Sequence, residues 1–462
     1  MDHLLDLARR RGAAVLGLGI SGQSAASYLL DRGVRPLYLI EERDEEAGRE
    51  LVLRGATMTS PRALPPIGLL VRSPGISDRH AAVARAREVG AVVTGEIGLW
   101  FSASRIPTIG VTGSDGKTTT VTLANAMLTA GAKRVLLGGN IGRSLLPCLG
   151  QTDAELALLE LSSFQLLDAF PLDRRDGLPL RAAILNLSEN HLDFHGTIDA
   201  YLAAKRNILS PSTVPILPLP LAHLANDSRE TPSLFSLAEV TPPCPARLYF
   251  LREGDLLCRS ERGELRRIAS LDGFALSGEH NLLNLLAAVA LCDRLVSDAA
   301  IASALRSVRP VSHRMTPIGR CKGALCIDSS IDSTPTRTAT TLRAIKGDSI
   351  VLLLGGASKD LSLSPLTEAL DRRVRAIFAF GREGRRIARA ITESGRWQGE
   401  LSLHSRFDEA VLAARATLNK SDLLLLSPAC TSYDEFHDYT ERSERFRALL
   451  KLDDDDKGNR KP

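Results

Sequence analysis

Short apolar runs alternate with helix-like segments through the first hundred residues. The runs Ala13–Leu18, Leu37–Ile40 and Leu69–Val71 predict strands, with helices over Gln23–Arg32 and Ala81–Val89. Strand–helix alternation of this kind predicts a parallel, doubly wound sheet, since a parallel return needs a crossover. The polar stretch ASRIPTIG then reads as a join, with Pro107 ahead of a new apolar strand. Strands over Thr108–Val111, Ala157–Glu160 and Ala182–Leu187 and helices over Thr118–Thr129 and Asn281–Leu295 follow. Within that unit Pro211–Ala246 is rich in proline and predicts an irregular excursion, because proline removes ladder donors. A third unit opens near VRPVSHR, with strands over Ser349–Leu354, Ala376–Phe380 and Leu423–Leu426. No short-period repeat is visible. The expected boundaries are 1–104, 105–309 and 310–452, with 453–462 set aside as a disordered or added tail.

The length of 462 residues agrees with three domains at roughly 150 residues each. Hydrophobic residues make up 44% and charged residues 24%, as in soluble globular proteins. Basic and acidic side chains number 58 and 54, and no long basic stripe appears, which argues against a nucleic-acid partner. Seven cysteines (Cys148, Cys244, Cys258, Cys292, Cys321, Cys326 and Cys430) contain no C-x-x-C pair and predict reduced thiols. The N-terminus lacks a secretion-signal pattern and no run of about 18 apolar residues exists. The expectation is a cytoplasmic, monomeric protein without a membrane partner.

Two glycine-bearing turns carry the first chemical signals. Gly17-x-Gly19-x-x-Gly22 follows the first strand, and a carboxylate arrives at Glu41 and Glu42, the outline of a dinucleotide-binding turn. A nicotinamide-dependent dehydrogenase is therefore one candidate. The second signal is stronger. In IPTIGVTGSDGKTTTVTLANAM a strand ends in Gly113, Ser114, Asp115 and Gly116, and Lys117, Thr118 and Thr119 open a helix. Backbone N–H groups at such a turn cradle phosphate oxygens, Lys117 brings a positive charge and Thr118 can ligate Mg²⁺, so this is read as an ATP site. The spacing departs from G-x-x-x-x-G-K-[ST], because Val111 occupies the first glycine position. Glu160, Glu189, His191, Asp193 and His195 follow later strands, where open α/β sheets place ligands, and Lys205 lies on the next helix.

With these motifs in order, the chain resembles the ATP-dependent Mur ligases of peptidoglycan precursor synthesis. The resemblance is carried by GVTGSDGKTTT, GGNIG, LELSSFQL, NHLDFHGTIDAYLAAK, SGEHNLLNLLAAVAL, HR, LLGGASKDLSLSPL and LLSPACTSYDEF, over essentially the whole chain. ELSSFQL and SPACTSYDEF look particularly like the D-glutamate-adding members. The resemblance implies an α/β fold of three domains. These are a Rossmann-like N-terminal domain for the UDP-substrate, a central P-loop ATPase-like domain on a parallel sheet, and a Rossmann-like C-terminal domain for the amino acid. It implies ATP and Mg²⁺ as cofactors, and UDP-N-acetylmuramoyl-L-alanine and D-glutamate as substrates. Another amino-acid ligase of the family, or a folylpolyglutamate-type ligase, is the alternative.

Residue by residue, it places Lys117, His191, Lys205 and Glu160 in the catalytic set, with Thr118, Glu160, His191 and a carbamylated Lys205 toward metal. ATP falls to Gly113–Thr119, Asn281, Asn284, Arg314 and Asp328. The UDP-substrate falls to Ile20, Ser21, Glu41, Arg43, Ser73, Pro74, Gly75 and Asn140, and D-glutamate to Ser333, Lys359, Ser432 and Tyr439. The third-domain motif DSSIDSTPTRT departs from the family's Asn-Asp-Ser-Lys-Ala-Thr-Asn: Ile331 stands at the lysine position and Ser333 at the threonine.

Overall fold

A computed structural model describes residues 3–42, 45–141, 144–170, 179–187, 192–276, 278–308, 315–345, 347–357 and 361–453. The sheet strands are β1 Ala13–Leu16, β2 Leu37–Ile40, β3 Thr57–Met58, β4 Leu69–Arg72, β5 Val92–Thr94, β6 Thr108–Thr112, β7 Val135–Gly139, β8 Leu156–Glu160, β9 Arg181–Ile184, β10 Val214–Pro218, β11 Ser233–Phe235, β12 Arg247–Arg252, β13 Asp255–Arg259, β14 Leu265–Ser270, β15 Thr316–Cys321, β16 Ala324–Asp328, β17 Ile350–Gly355, β18 Val374–Phe380, β19 Glu400–Leu403 and β20 Leu423–Ala429. They form three sheets, ordered β3-β2-β1-β4-β5, β14-β13-β12-β11-β10-β9-β6-β8-β7 and β15-β16-β20-β17-β18-β19. By backbone proximity the chain divides into two compact units, Met1–Val308 with the first two sheets and Arg309–Pro462 with the third.

The first sheet is parallel throughout, with β1 paired to β2 and β4. The strand order reverses beside β1, and such switch points open a crevice at the carboxyl ends of the strands. β1 stops at Leu16, two residues short of the expectation, because Gly17 turns to φ +80°. In the middle sheet β6 lies between β8 and β9, a second switch point. The helix Lys117–Ala130 leaves β6 directly. An apolar cluster containing Trp100, Leu145, Leu161 and Leu166 joins the two sheets of this unit.

The middle sheet differs from the expectation at its far end. The proline-rich stretch is not wholly irregular, since it supplies β10 and β11. Val214 donates its N–H to Leu180, so the nitrogen of Pro215 faces the other side, where pairing to β11 begins only at Ile216. β13 and β14 then run antiparallel. The signal for the β12–β13 hairpin is Glu253-Gly254, both at positive φ, between the closing pair Arg252 and Asp255. Lys322-Gly323 turns β15 into β16 in the same way. β9 ends at Ile184 rather than Leu187, because the next residues fold over the β6 loop. The helix expected to reach Leu295 spans Glu279–Cys292, ending where Asp293 leaves helical geometry.

β17 sends Ile350, Leu352 and Leu354 into one core and Val351 and Leu353 into the other, which is why its sequence reads as unbroken apolar. Asp453, assigned to the tail by sequence, accepts the N–H groups of Lys322 and Gly323 at 3.1 and 2.8 Å and so caps the β15–β16 turn. All seven cysteines are free thiols.

A Cβ on Gly22 would lie 1.8 Å from the carbonyl oxygen of Gly17. Gly22→Ala is expected to destabilise Met1–Val308 by about 1–3 kcal/mol, read as a lower urea midpoint at unchanged m. An unchanged midpoint would remove the close-approach argument.

Candidate active site

The loop leaving β6 is shaped by backbone demands. Gly113 has φ +158° and Gly116, which precedes the helix Lys117–Ala130, has φ +81°. A Cβ on Gly116 would stand 2.2 Å from the Asn284 side-chain oxygen, so the loop and the helix Glu279–Cys292 interlock there. Asn186 fastens the loop from β9: its carbonyl accepts Ser114 N–H at 3.0 Å and its side chain accepts Asp115 N–H at 2.8 Å. The helix Lys117–Ala130 starts at the loop with no side-chain cap, and the first-turn N–H groups of such a start are those that bind phosphate.

Two lysines converge on this loop. Lys117 Nζ donates to the carbonyls of Gly113 and Ser114 at 2.7 and 2.8 Å, and Lys205 Nζ donates to Gly113 at 2.8 Å. Lys205 is only 2% exposed and lies 4.8 Å from the ring centroid of Tyr201, whose hydroxyl bonds Ser114 at 2.9 Å. Burial, and then the charge of Lys117, bring the Lys205 ammonium down to about 7, against a smaller upward pull from Asp115.

Beside the lysines stands an oxygen-rich group. Glu160, buried at the end of β8, accepts from Thr118 Oγ1 at 2.8 Å on one carboxylate oxygen and from Asn140 Nδ2 at 2.9 Å on the other. Asn140 also donates its N–H to the Glu160 carbonyl at 2.7 Å, and a Cβ on Gly139 would lie 2.1 Å from that oxygen. Asn140, assigned by sequence to the UDP-substrate, thus belongs to the same hydrogen-bonded group as Thr118. A hydroxyl and a carboxylate are hard oxygen donors and fit a magnesium ion. Among the described residues no three His, Cys, Asp or Glu side chains converge as a metal cluster. Thr119 is buried behind the loop, Asn284 lies against Gly116, and Asn281 sits in the first turn of its helix.

The N-terminal turn is built from three strand ends. Gly17 N–H bonds the Ile40 carbonyl at 2.8 Å, and Ser73 Oγ donates to the Gly17 carbonyl at 2.8 Å. Glu41 accepts Leu18 N–H at 2.6 Å and Glu42 N–H at 2.9 Å. The carboxylate whose spacing suggested a ribose contact therefore props the turn. Ile20 is 80% exposed at the start of the helix Ile20–Asp31, Ser21 is half-buried, and Ser73, Pro74 and Gly75 form an open turn after β4. A cleft runs from that turn to Phe164, Gln165 and Phe194. Phe164 and Phe194 pack edge to face at 4.5 Å, and His195 stacks on Phe164 while bonding Ser163 Oγ at 3.0 Å.

In the second unit the ends of β16, β17 and β20 are neighbours, and a residue the sequence reading did not single out joins their loops. Arg442 is fully buried and donates to Ser330 Oγ at 3.0 Å, the Ser330 carbonyl at 2.8 Å and the carbonyls of Cys430 and Thr431 at 3.3 and 3.1 Å. Its burial lowers the guanidinium to about 10. Ser330 Oγ donates to the Tyr439 carbonyl at 2.9 Å. The segments carrying Ser333, Ser432 and Tyr439 are thereby brought to one end of the sheet. Asp328 faces inward, its oxygens taken by Ser330 N–H at 3.0 Å and by the Ser443 hydroxyl. Arg43, Glu189, His191, Arg314 and Lys359 lie outside the described residues. The only sequence signal for Arg442 was a charge inside an otherwise ordinary helix.

Two family models match, the Mur ligase MurD-like N-terminal domain over residues 11–95 and the Mur ligase middle domain over 111–292. The chain is 33% identical over 456 residues to a UDP-N-acetylmuramoylalanine–D-glutamate ligase of Symbiobacterium thermophilum, covering 95% of this chain and 97% of the relative. The ligase of the same name from Nitrosococcus oceani is 32% identical over 462 residues, covering 95% and 96%. Among solved structures, MurF from Acinetobacter baumannii superposes with a TM-score of 0.53 at 18% identity, covering 97% of this chain and 98% of that one. A UDP-N-acetylmuramate-alanine ligase from Thermotoga maritima gives 0.51 at 18%, covering 94% and 97%. These folds carry three domains, in agreement with the three sheets.

The Lys205 shift has a measurable sign. Its folded value of about 7 lies below the unfolded 10.5, so between those values the unfolded chain binds more protons and stability rises with pH. Wild type should gain on Lys205→Met by up to about 1.4 kcal/mol per pH unit in that window, read by urea unfolding at pH 7, 8 and 9. A wild-type-minus-variant stability that stays constant or falls as pH rises would contradict the burial assigned to this amine.

Proposed function

The chain belongs to the Mur ligase family, and on that premise we propose that it is an ATP-dependent, ADP-forming ligase joining D-glutamate to UDP-N-acetylmuramoyl-L-alanine in peptidoglycan precursor synthesis. The observation that carries the reading is the pair Lys117 and Lys205 gathered on the Gly113 carbonyl beside Thr118 and Glu160. That pair offers concentrated positive charge where a phosphate chain would lie.

Amide formation from a carboxylate needs an activated acyl group. The alanyl carboxylate takes the γ-phosphoryl group of ATP, releasing ADP. The D-glutamate amine then attacks the acyl phosphate, loses a proton and expels phosphate. Lys117 leaves the Gly113 and Ser114 carbonyls for the phosphate oxygens and follows the charge as it moves to the new acyl phosphate. Backbone N–H groups of the loop and of the helix start hold the phosphates in line. Thr118 and Glu160 would hold magnesium, which supplies charge neutralisation on the phosphates when bound. Asn140 fixes the rotamer of Glu160.

Lys205 with a value near 7 is substantially unprotonated at neutral pH, and a free amine can add to carbon dioxide with loss of a proton. The carbamate so formed would turn a cation that repels Lys117 into an anion that attracts it. His191 completes the catalytic set in this reading. Asn281, Asn284 and Arg314 serve the nucleotide, and Asp328, its carboxylate spent on Ser330 and Ser443, acts through the loop it holds. Ile20, Ser21, Glu41, Arg43, the Ser73–Gly75 turn and Asn140 serve the UDP-substrate, with Glu41 acting through the turn it supports. Ser333, Lys359, Ser432 and Tyr439 take D-glutamate. Among the described residues no helix is long and apolar enough to cross a membrane, and ATP and UDP-linked substrates point to a cytoplasmic enzyme. We take it to act as a monomer.

Mixed with magnesium, ATP and UDP-N-acetylmuramoyl-L-alanine, the protein should release stoichiometric phosphate with D-glutamate and none with L-glutamate. Equal release with both would defeat the assignment. Lys117→Ala should lower turnover by at least about 10²–10³-fold while the affinity for the UDP-substrate changes little. Lys205→Ala should recover part of its activity on addition of formate or acetate, and no recovery at any concentration would count against the carbamate.

A further inference from the structure

The cleft between the Ser73–Gly75 turn and Phe164 has walls from two sheets, and one buried ion pair ties them together. Arg72 ends β4 and is 4% exposed. Its Nε and Nη2 grip both carboxylate oxygens of Asp168, the Nη2 bond measuring 3.0 Å. Its Nη1 donates to the Ile76 carbonyl at 3.0 Å and lies 2.8 Å from Asp78 Oδ1, so the same guanidinium closes the turn from within. Asp168 stands at the end of the helix Ser163–Leu167, which presents Phe164 and Gln165 to the cleft. Its carbonyl accepts Thr94 Oγ1 at 2.9 Å, and a Cβ on Gly98 would come within 2.8 Å of that oxygen. One planar, two-pronged contact therefore fixes the Ser73–Gly75 turn at a set distance and angle from the aromatic wall.

We infer that Arg72 and Asp168, at the floor of the cleft, are positioning residues that set its width for the UDP-linked substrate by holding the Ser73–Gly75 turn against the aromatic wall. The inference rests on the function proposed above. A buried ion pair is a poor choice for stability alone, since apolar residues of similar volume hold such a place as well or better. What apolar residues do not supply is the directional grip on Asp168 and on the Ile76 carbonyl.

That difference makes the test. The Arg72→Met/Asp168→Leu double variant should melt near the wild-type temperature yet bind UDP-N-acetylmuramoyl-L-alanine at least about tenfold more weakly by calorimetry. Its affinity for ATP should stay within about twofold, and in turnover KM for the UDP-substrate should rise with kcat largely kept. Wild-type affinity in the double variant would overturn the clamp and leave the pair a structural contact. Should the double variant fail to fold, Arg72→Lys keeps the charge but loses the two-point grip. The same weakening is expected there, and wild-type affinity in folded Arg72→Lys would likewise overturn the clamp. If the wild-type protein itself binds ATP but not the UDP-substrate, the proposed function fails instead, and the clamp falls with it.

Discussion

Two ammonium groups share one carbonyl oxygen. Lys117 and Lys205 both donate to Gly113, and nothing else in the site so constrains what can happen there. Burial first, and then the like charge of Lys117, bring the Lys205 ammonium down to about 7. The strain has two outlets, an anion that enters between the lysines or a covalent change that reverses one charge. Both are used by the proposed reaction, the first by the phosphates of ATP and the second by a carbamate.

Around that pair the architecture supplies rigidity. Glu160 is divided between Thr118 and Asn140, so the acid at the end of β8 is held on those two donors. Gly139 admits the Asn140 loop against the Glu160 carbonyl, and Gly116 admits Asn284 against the phosphate loop. These glycines stand where a Cβ has no room. The unit Met1–Val308 thus has two switch points, one carrying the turn near Gly17 and the other the lysine pair. In the second unit Arg442 does comparable work with a single side chain, holding loops from β16 and β20 by their carbonyls.

How much of this was legible depends on how local its cause is. The β6 loop was read from its glycines, Lys117 and the following helix, all within a dozen residues. The β12–β13 and β15–β16 hairpins were missed although Glu253-Gly254 and Lys322-Gly323 announce them, because alternation with helices dominated the reading. Pro211–Ala246 misled for the opposite reason: proline is a ladder breaker in general, yet Pro215 turns its nitrogen to a side where no partner strand has begun. Glu41 was placed by spacing, and the role of its carboxylate, spent on Leu18 N–H, depended on where the β2 end came to rest against the turn.

By itself the sequence determined the α/β alternation, the turns at Gly17 and Gly113, the lysine that opens the helix after the β6 loop and the family to which these motifs belong. Those features follow from periodicity and from backbone conformations that a few adjacent residues impose. Tertiary structure decided that Lys205 would meet a carbonyl 92 positions away, that Arg72 would meet Asp168 across 96, and that Arg442 would gather Ser330 across 112. Charge, burial and partner are properties of such long-range encounters. A lysine on a helix carries no mark of its eventual dielectric until the sheet has closed around it.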